Sequence, residues 1–225
     1  MNNYHTRVLF YPADEYTYNF SIQIYLVKNL ILNEELKKVF NFIQFVLRSK
    51  RLPSNFGQRI QIALRTGRAA YQLVDDYATI TPRSTPEQGA AILQAFDNLK
   101  SSGLDGGRAH LGKAANELTA GKYADSVRES IHAVESVARK LDPESAKTLG
   151  PALKALERDA AINPALRGGF EKIYGYTNSE KGIRHPLLDE SDKVDQEDAV
   201  FMIGACASFI SYMIGKARSS GLIDK

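Results

Sequence analysis

The run Tyr123–Leu141 constrains this chain more than any other stretch. Val127, Ile131, Val134, Ala138 and Leu141 recur at three- and four-residue intervals, which sets them on one face of a helix and predicts that this face is buried. Arg128, His132, Glu135 and Arg139 repeat the spacing one position on, so a row of titratable groups flanks the apolar one. A helix with such a stripe needs partners. The sequence offers helical patterns over 106–118, 145–158 and 164–174, separated by turn signals. Asp195 then caps a last helix through Val200, Phe201, Ile203, Ile210, Met213 and Ile214, ending in Lys216 and Arg218. The fold expected is mainly α, a helical bundle from about Asp105 onward. Its core is expected to hold Val127, Ile131, Val134, Leu153, Leu156, Phe170, Phe201, Phe209 and Met213.

The first half reads as a smaller helical region with a β-hairpin. Asn33 suits an N-cap before Leu36, Val39, Phe40, Ile43 and Leu47, predicting a helix to about Ser49. Asn55 heads a second helix through Ile60 and Leu64, closed by Gly67. Tyr71-Gln72-Leu73-Val74 and Ala78-Thr79-Ile80-Thr81 flank Asp75-Asp76-Tyr77 as a hairpin, and Thr85-Pro86 opens a helix to about Lys100. Before these, Val8–Tyr11 and Ser21–Leu26 carry β-branched and aromatic residues that suit either a strand or an irregular helix. The small-residue break Ser101-Ser102-Gly103 predicts a boundary between an accessory region, 1–103, and the bundle, 104–225.

Composition narrows the function classes. A net charge of +3 over 225 residues leaves any nucleic-acid affinity to a local basic cluster. The single cysteine, Cys206, has no intramolecular partner and sits in an apolar run, where a buried thiol is expected. Gln23, Lys28 and Asn29 interrupt the first apolar stretch, which argues against a signal peptide or a membrane span and for the cytoplasm. The four histidines are far apart in the chain and have no cysteine or carboxylate at zinc spacing, so no metal and no cofactor are expected. His110, beside Arg108 and after Gly106-Gly107, reads as a surface histidine, because the Gly-Lys-Ser/Thr pattern of a phosphate loop is absent.

The segment Ser126-Val127-Arg128-Glu129-Ser130-Ile131-His132-Ala133-Val134-Glu135-Ser136-Val137 resembles the central helix of AbiJ-like abortive-infection proteins with a C-terminal HEPN domain. Further pieces resemble the family in the same order: Thr148 to Leu156, Asn163 to Leu166 leading to Phe170 to Thr177, Gly182-Ile183-Arg184-His185, then Glu197-Asp198-Ala199 and Cys206 to Ile210. Upstream, Val39 to Leu47 and Arg68 to Val74 resemble the accessory region of such proteins. The resemblance implies a role in phage defence, a homodimer with a shared cleft, and metal-independent cleavage of RNA.

Metal-free RNA cleavage needs a base for the 2′-hydroxyl, an acid for the leaving oxygen and a cation for the phosphorane. The family's usual Arg, four to six residues, then His is replaced here by Arg184 directly followed by His185. The expected catalytic set is therefore Arg184, His185 and Glu135, with Glu135 orienting an imidazole or holding Arg184. Arg128 and His132 are expected to bind phosphate, and Tyr176 and Asn178 to stack and hydrogen-bond a base beside the helix break at Gly175. The alternative is a structural ion pair between Glu135 and Arg184 in a non-catalytic module that dimerises and binds RNA or nucleotide.

Overall fold

The computed structural model describes residues 19–49, 52–142, 149–160, 162–178 and 194–223, without the side chains of 176–178. It divides into two compact units, one up to Ile60 and one from Gln61.

In the first unit, α1 (Phe20–Asn33) starts at Asn19, whose side-chain oxygen accepts from the Ser21 and Ile22 amides at 3.0 and 3.2 Å. That cap decides for helix in a stretch whose residue types also suit a strand. Asn33 is not the cap of the next helix as expected. It is the last residue of α1, its side-chain Nδ2 donating back to Asn29 Oδ1 at 2.8 Å, and the Glu34 amide closes the helix on the Leu30 carbonyl. Glu35 precedes α2 (Leu36–Leu47), which buries Val39, Phe40 and Phe42. As predicted, α3 (Phe56–Thr66) ends just before Gly67.

The second unit, which starts within α3, contains a hairpin of β1 (Tyr71–Val74) and β2 (Thr79–Pro82), antiparallel with Tyr71 opposite Pro82 and Val74 opposite Thr79. The return strand starts one residue later than expected, because the Ala78 amide closes the turn on the Asp75 carbonyl at 3.0 Å. Asp75, Asp76 and Tyr77 all hold left-handed backbone, with φ of 53°, 52° and 67°, a conformation aspartate tolerates better than most residues. Arg108 donates to Asp75 and Asp76, each at 2.7 Å, and Lys100 to Asp76 at 2.8 Å.

Next comes α4 (Pro86–Ser101), with Thr85 as its cap and proline in its first turn. At Ser101-Ser102-Gly103 the chain turns between α4 and α5 (Asp105–Thr119) within the second unit, and Arg218 donates to the Ser101 and Ser102 hydroxyls at 2.7 and 2.8 Å. The remaining helices are α6 (Tyr123–Leu141), α7 (Leu149–Asp159), α8 (Pro164–Asn178) and α9 (Gln196–Ser219). The molecule is thus mainly α with a small two-stranded sheet.

Central in the bundle, α6 packs on α5, α7 and α9, and α9 also packs on α4. Val127, Ile131, Val134, Leu153, Leu156, Phe170, Phe209 and Met213 are buried as expected, with the Phe170 and Phe209 rings stacked 3.9 Å apart. Phe201 is not: it is 59% exposed. Val200, Ile203, Ala207 and Ile210 take the inward face of α9, and Phe201 sits one position off it. Cys206 is fully buried, which pushes its thiol well above the ordinary range. Among the described residues α9 is the one helix long and apolar enough to cross a membrane, and its packing on α4, α5 and α6 is that of a core helix. Gly175 does not end α8, which runs on to Asn178.

Candidate functional site

Helices α5 and α6 form an antiparallel hairpin about Gly121, whose φ of 74° is the left-handed backbone that glycine adopts without strain. In such a hairpin, residues equally far from the turn stand level with each other. His110 and His132 are each eleven residues from Gly121, Lys113 and Glu129 each eight, and Gly106 and Ser136 each fifteen. The glycine pair brings the helices together. A Cβ on Gly106 would lie 2.5 Å from Ser136 Oγ, and one on Gly107 would lie 2.7 Å from Val137 Cγ2. Along this seam runs an open groove of about 780 Å³, lined by Gly106, His110, His132, Glu135, Arg139 and Lys140 among others.

Bonded to a groove-lining histidine is Glu129, a buried carboxylate on α6 that is not itself among the lining residues. His110 Nδ1 lies 2.7 Å from Glu129 Oε2, and Lys113 Nζ donates to Oε1 at 2.6 Å. Burial raises the Glu129 carboxyl, but the hydrogen bonds from Lys113 and His110 outweigh it and hold the group below its ordinary value. An ionised carboxylate only accepts, so Nδ1 of His110 carries a proton, and in the neutral ring Nε2 is the basic nitrogen. His132 Nδ1 is 3.9 Å from the same Oε2, and the two imidazoles meet edge to face with centroids 5.4 Å apart. Two imidazoles, one oriented by a carboxylate, in a groove that Arg139 and Lys140 also line, can take a proton from one oxygen and give one to another at a bound phosphodiester.

Of the residues expected from sequence, His132 and Glu135 line this groove. Glu135 accepts from the Tyr174 hydroxyl at 3.0 Å and lies 3.9 Å from Arg139, whereas the carboxylate bonded to an imidazole is Glu129. Arg128 pairs with Asp125 at 2.5 Å and is not among the groove-lining residues. Arg184 and His185 lie outside the described residues, as do the side chains of Tyr176 and Asn178. His110, expected as a surface histidine, is a groove residue with a bonded carboxylate. Glu129 and Lys113 were not anticipated at all. Counting outward from Gly121 is the signal that would have found all three.

Comparison with models of protein families, with curated proteins and with solved structures returns no match in any of the three.

Proposed function

We propose that this chain is a metal-independent ribonuclease of the HEPN type, serving abortive infection in the cytoplasm as a homodimer, with the α5–α6 groove as its RNA site. The observation that carries this reading is the His110–His132 pair with Glu129 behind His110. In the proposed reaction His110 Nε2 removes the ribose 2′-hydroxyl proton, the oxygen attacks the adjacent phosphorus, and His132 protonates the departing 5′-oxygen. Arg139 and Lys140 supply positive charge for the phosphorane. Glu135, tied to Tyr174, faces the same groove and supports Arg139. The family resemblance adds Arg184 and His185 as candidates for the same phosphate.

A second reading is a non-catalytic module that binds RNA or nucleotide phosphate. It is favoured by the closed bonding of Glu129, both of whose oxygens are engaged by Lys113 and His110, a pattern structural clusters share. The test is to incubate the purified chain with total RNA and a chelator and analyse the new ends. Products ending in a 2′,3′-cyclic phosphate support the ribonuclease. Retention of RNA without cleavage, across RNA classes, supports the binding module.

A further inference from the structure

The three groups that form the acid–base cluster also have the makings of a metal site. His110, Glu129 and His132 each offer one ligand atom, and these atoms all lie within 4.8 Å of one another. Two imidazoles and a carboxylate are a donor set that zinc accepts, with ligand atoms about 2.0–2.1 Å from the ion and hence about 3.3 Å apart in a tetrahedron. The contacts present, 2.7 Å from His110 Nδ1 and 3.9 Å from His132 Nδ1 to the shared Glu129 Oε2, bracket that separation. Small side-chain rotations would reach it. Lys113 does not occupy the shared oxygen. Its ammonium bonds Oε1, and a ligating carboxylate whose second oxygen is hydrogen-bonded is the usual way such a ligand is oriented. The cluster borders an open groove, with His110 41% and His132 32% exposed, so an ion can enter from solvent with water completing its shell.

We propose that His110, Glu129 and His132 bind a divalent transition ion of the zinc class, and that its binding switches the groove off. The regulatory half rests on the ribonuclease reading above. With the ion in place both imidazoles are engaged as ligands through Nδ1, the His110 proton passes from Nδ1 to Nε2, and neither ring keeps a free nitrogen to accept a proton at RNA. Lys113, Arg139 and Lys140 keep their charge, so phosphate can still be held while cleavage stops.

The experiment uses the full chain, tag-free and stripped with chelator. Zinc uptake is measured by calorimetry, and cobalt is substituted to read ligand geometry from its visible absorption. RNA cleavage is followed in parallel with chelator and with added zinc. The expected result is one ion per chain, at least about tenfold weaker uptake in both His132→Asn and Glu129→Gln, and cleavage in chelator that added zinc abolishes. Melting curves identify a variant that fails to fold, and the other variant then decides. No uptake, or uptake that neither variant weakens, overturns the site, and continued cleavage in chelator would show the ribonuclease reading to be intact. Uptake without cleavage under any condition overturns the switch together with the ribonuclease. Cleavage that requires zinc overturns it by making the ion part of the reaction.

Discussion

Glu129 and Asp76 are both carboxylates held below their ordinary values, and they are expected to matter differently. Glu129→Gln removes the charge that fixes the His110 tautomer while leaving an amide of similar shape. Turnover should fall by about 10²-fold or more, with a melting temperature close to wild type because Lys113 stays solvated. Rate measurements and thermal melts on the same preparation check both halves. At Asp76 the Lys100 hydrogen bond lowers the carboxyl, burial opposes it, and Arg108 adds to the lowering. A carboxyl depressed in the fold adds stability above its unfolded value of about 3.9 and loses it as pH falls through the lower folded value. Asp76→Asn should therefore melt below wild type at neutral pH, by under about 1 kcal/mol since the pair is half exposed, and the difference should vanish at strongly acid pH. A difference that persists there would assign the effect to backbone strain in the turn. At this scale the site was half legible. His132 and Glu135 stand out because they share a row beside the apolar stripe of their own helix. His110, Lys113 and Glu129 do not, since their meaning arises only when two helices are folded against each other about Gly121.

Two glycines separate packing from propensity at the level of the helices. Gly107→Ala places a methyl 2.7 Å from Val137 Cγ2 and 2.9 Å from Leu99 Cδ2, in the fully buried seam where α5 enters. Both neighbours are fully buried, so destabilisation of about 1–3 kcal/mol is expected. Gly215, exposed in α9, has nothing within 4 Å of an added Cβ, and Gly215→Ala should stabilise by up to about 1 kcal/mol through helix propensity. Urea denaturation of the two variants tests the pair, and destabilisation of equal size at both would contradict the close-approach account. Helix positions were read well where caps act alone: Thr85, Asp195 and the proline at position 86 mark their helices correctly. They were misread where a side chain had a competing local partner, as Asn33 has in Asn29. Gly175 was misread too, because a glycine inside a helix lowers propensity without being obliged to end it.

Across the whole molecule the apolar stripe of α6 dictates the bundle, and Ile131, 2% exposed, is its midpoint. Ile131→Asp buries an unpaired carboxylate at a cost of several kcal/mol, a large share of the about 5–15 kcal/mol that holds a domain. Circular dichroism should show an unfolded or molten chain, and a native melting curve would refute the core assignment. The periodic pattern revealed this core, but it could not rank Phe201 against Val200 and Ile203, because α9 is apolar nearly all round and only the placement of α4 and α6 selects its inward face. Val200, Met202, Ile203, Phe209, Ile210, Met213 and Ile214 of α9 are all covered within one chain, and Phe201 is not. The proposed homodimer therefore rests on the resemblance and not on a surplus of apolar surface along α9. The proposed ribonuclease depends on acid–base chemistry at RNA by the level pair of histidines across the α5–α6 hairpin. Its most direct test is the single-turnover cleavage rate, in chelator, of His110→Asn and His132→Asn, each shown by its melting curve to be folded. Each is expected to lose about 10²–10⁴-fold in rate, and the double variant little more, since the two rings act as a unit. Wild-type rates in both folded variants, with activity lost instead in Arg184→Ala or His185→Ala, would contradict it and place the chemistry in the Arg184–His185 segment.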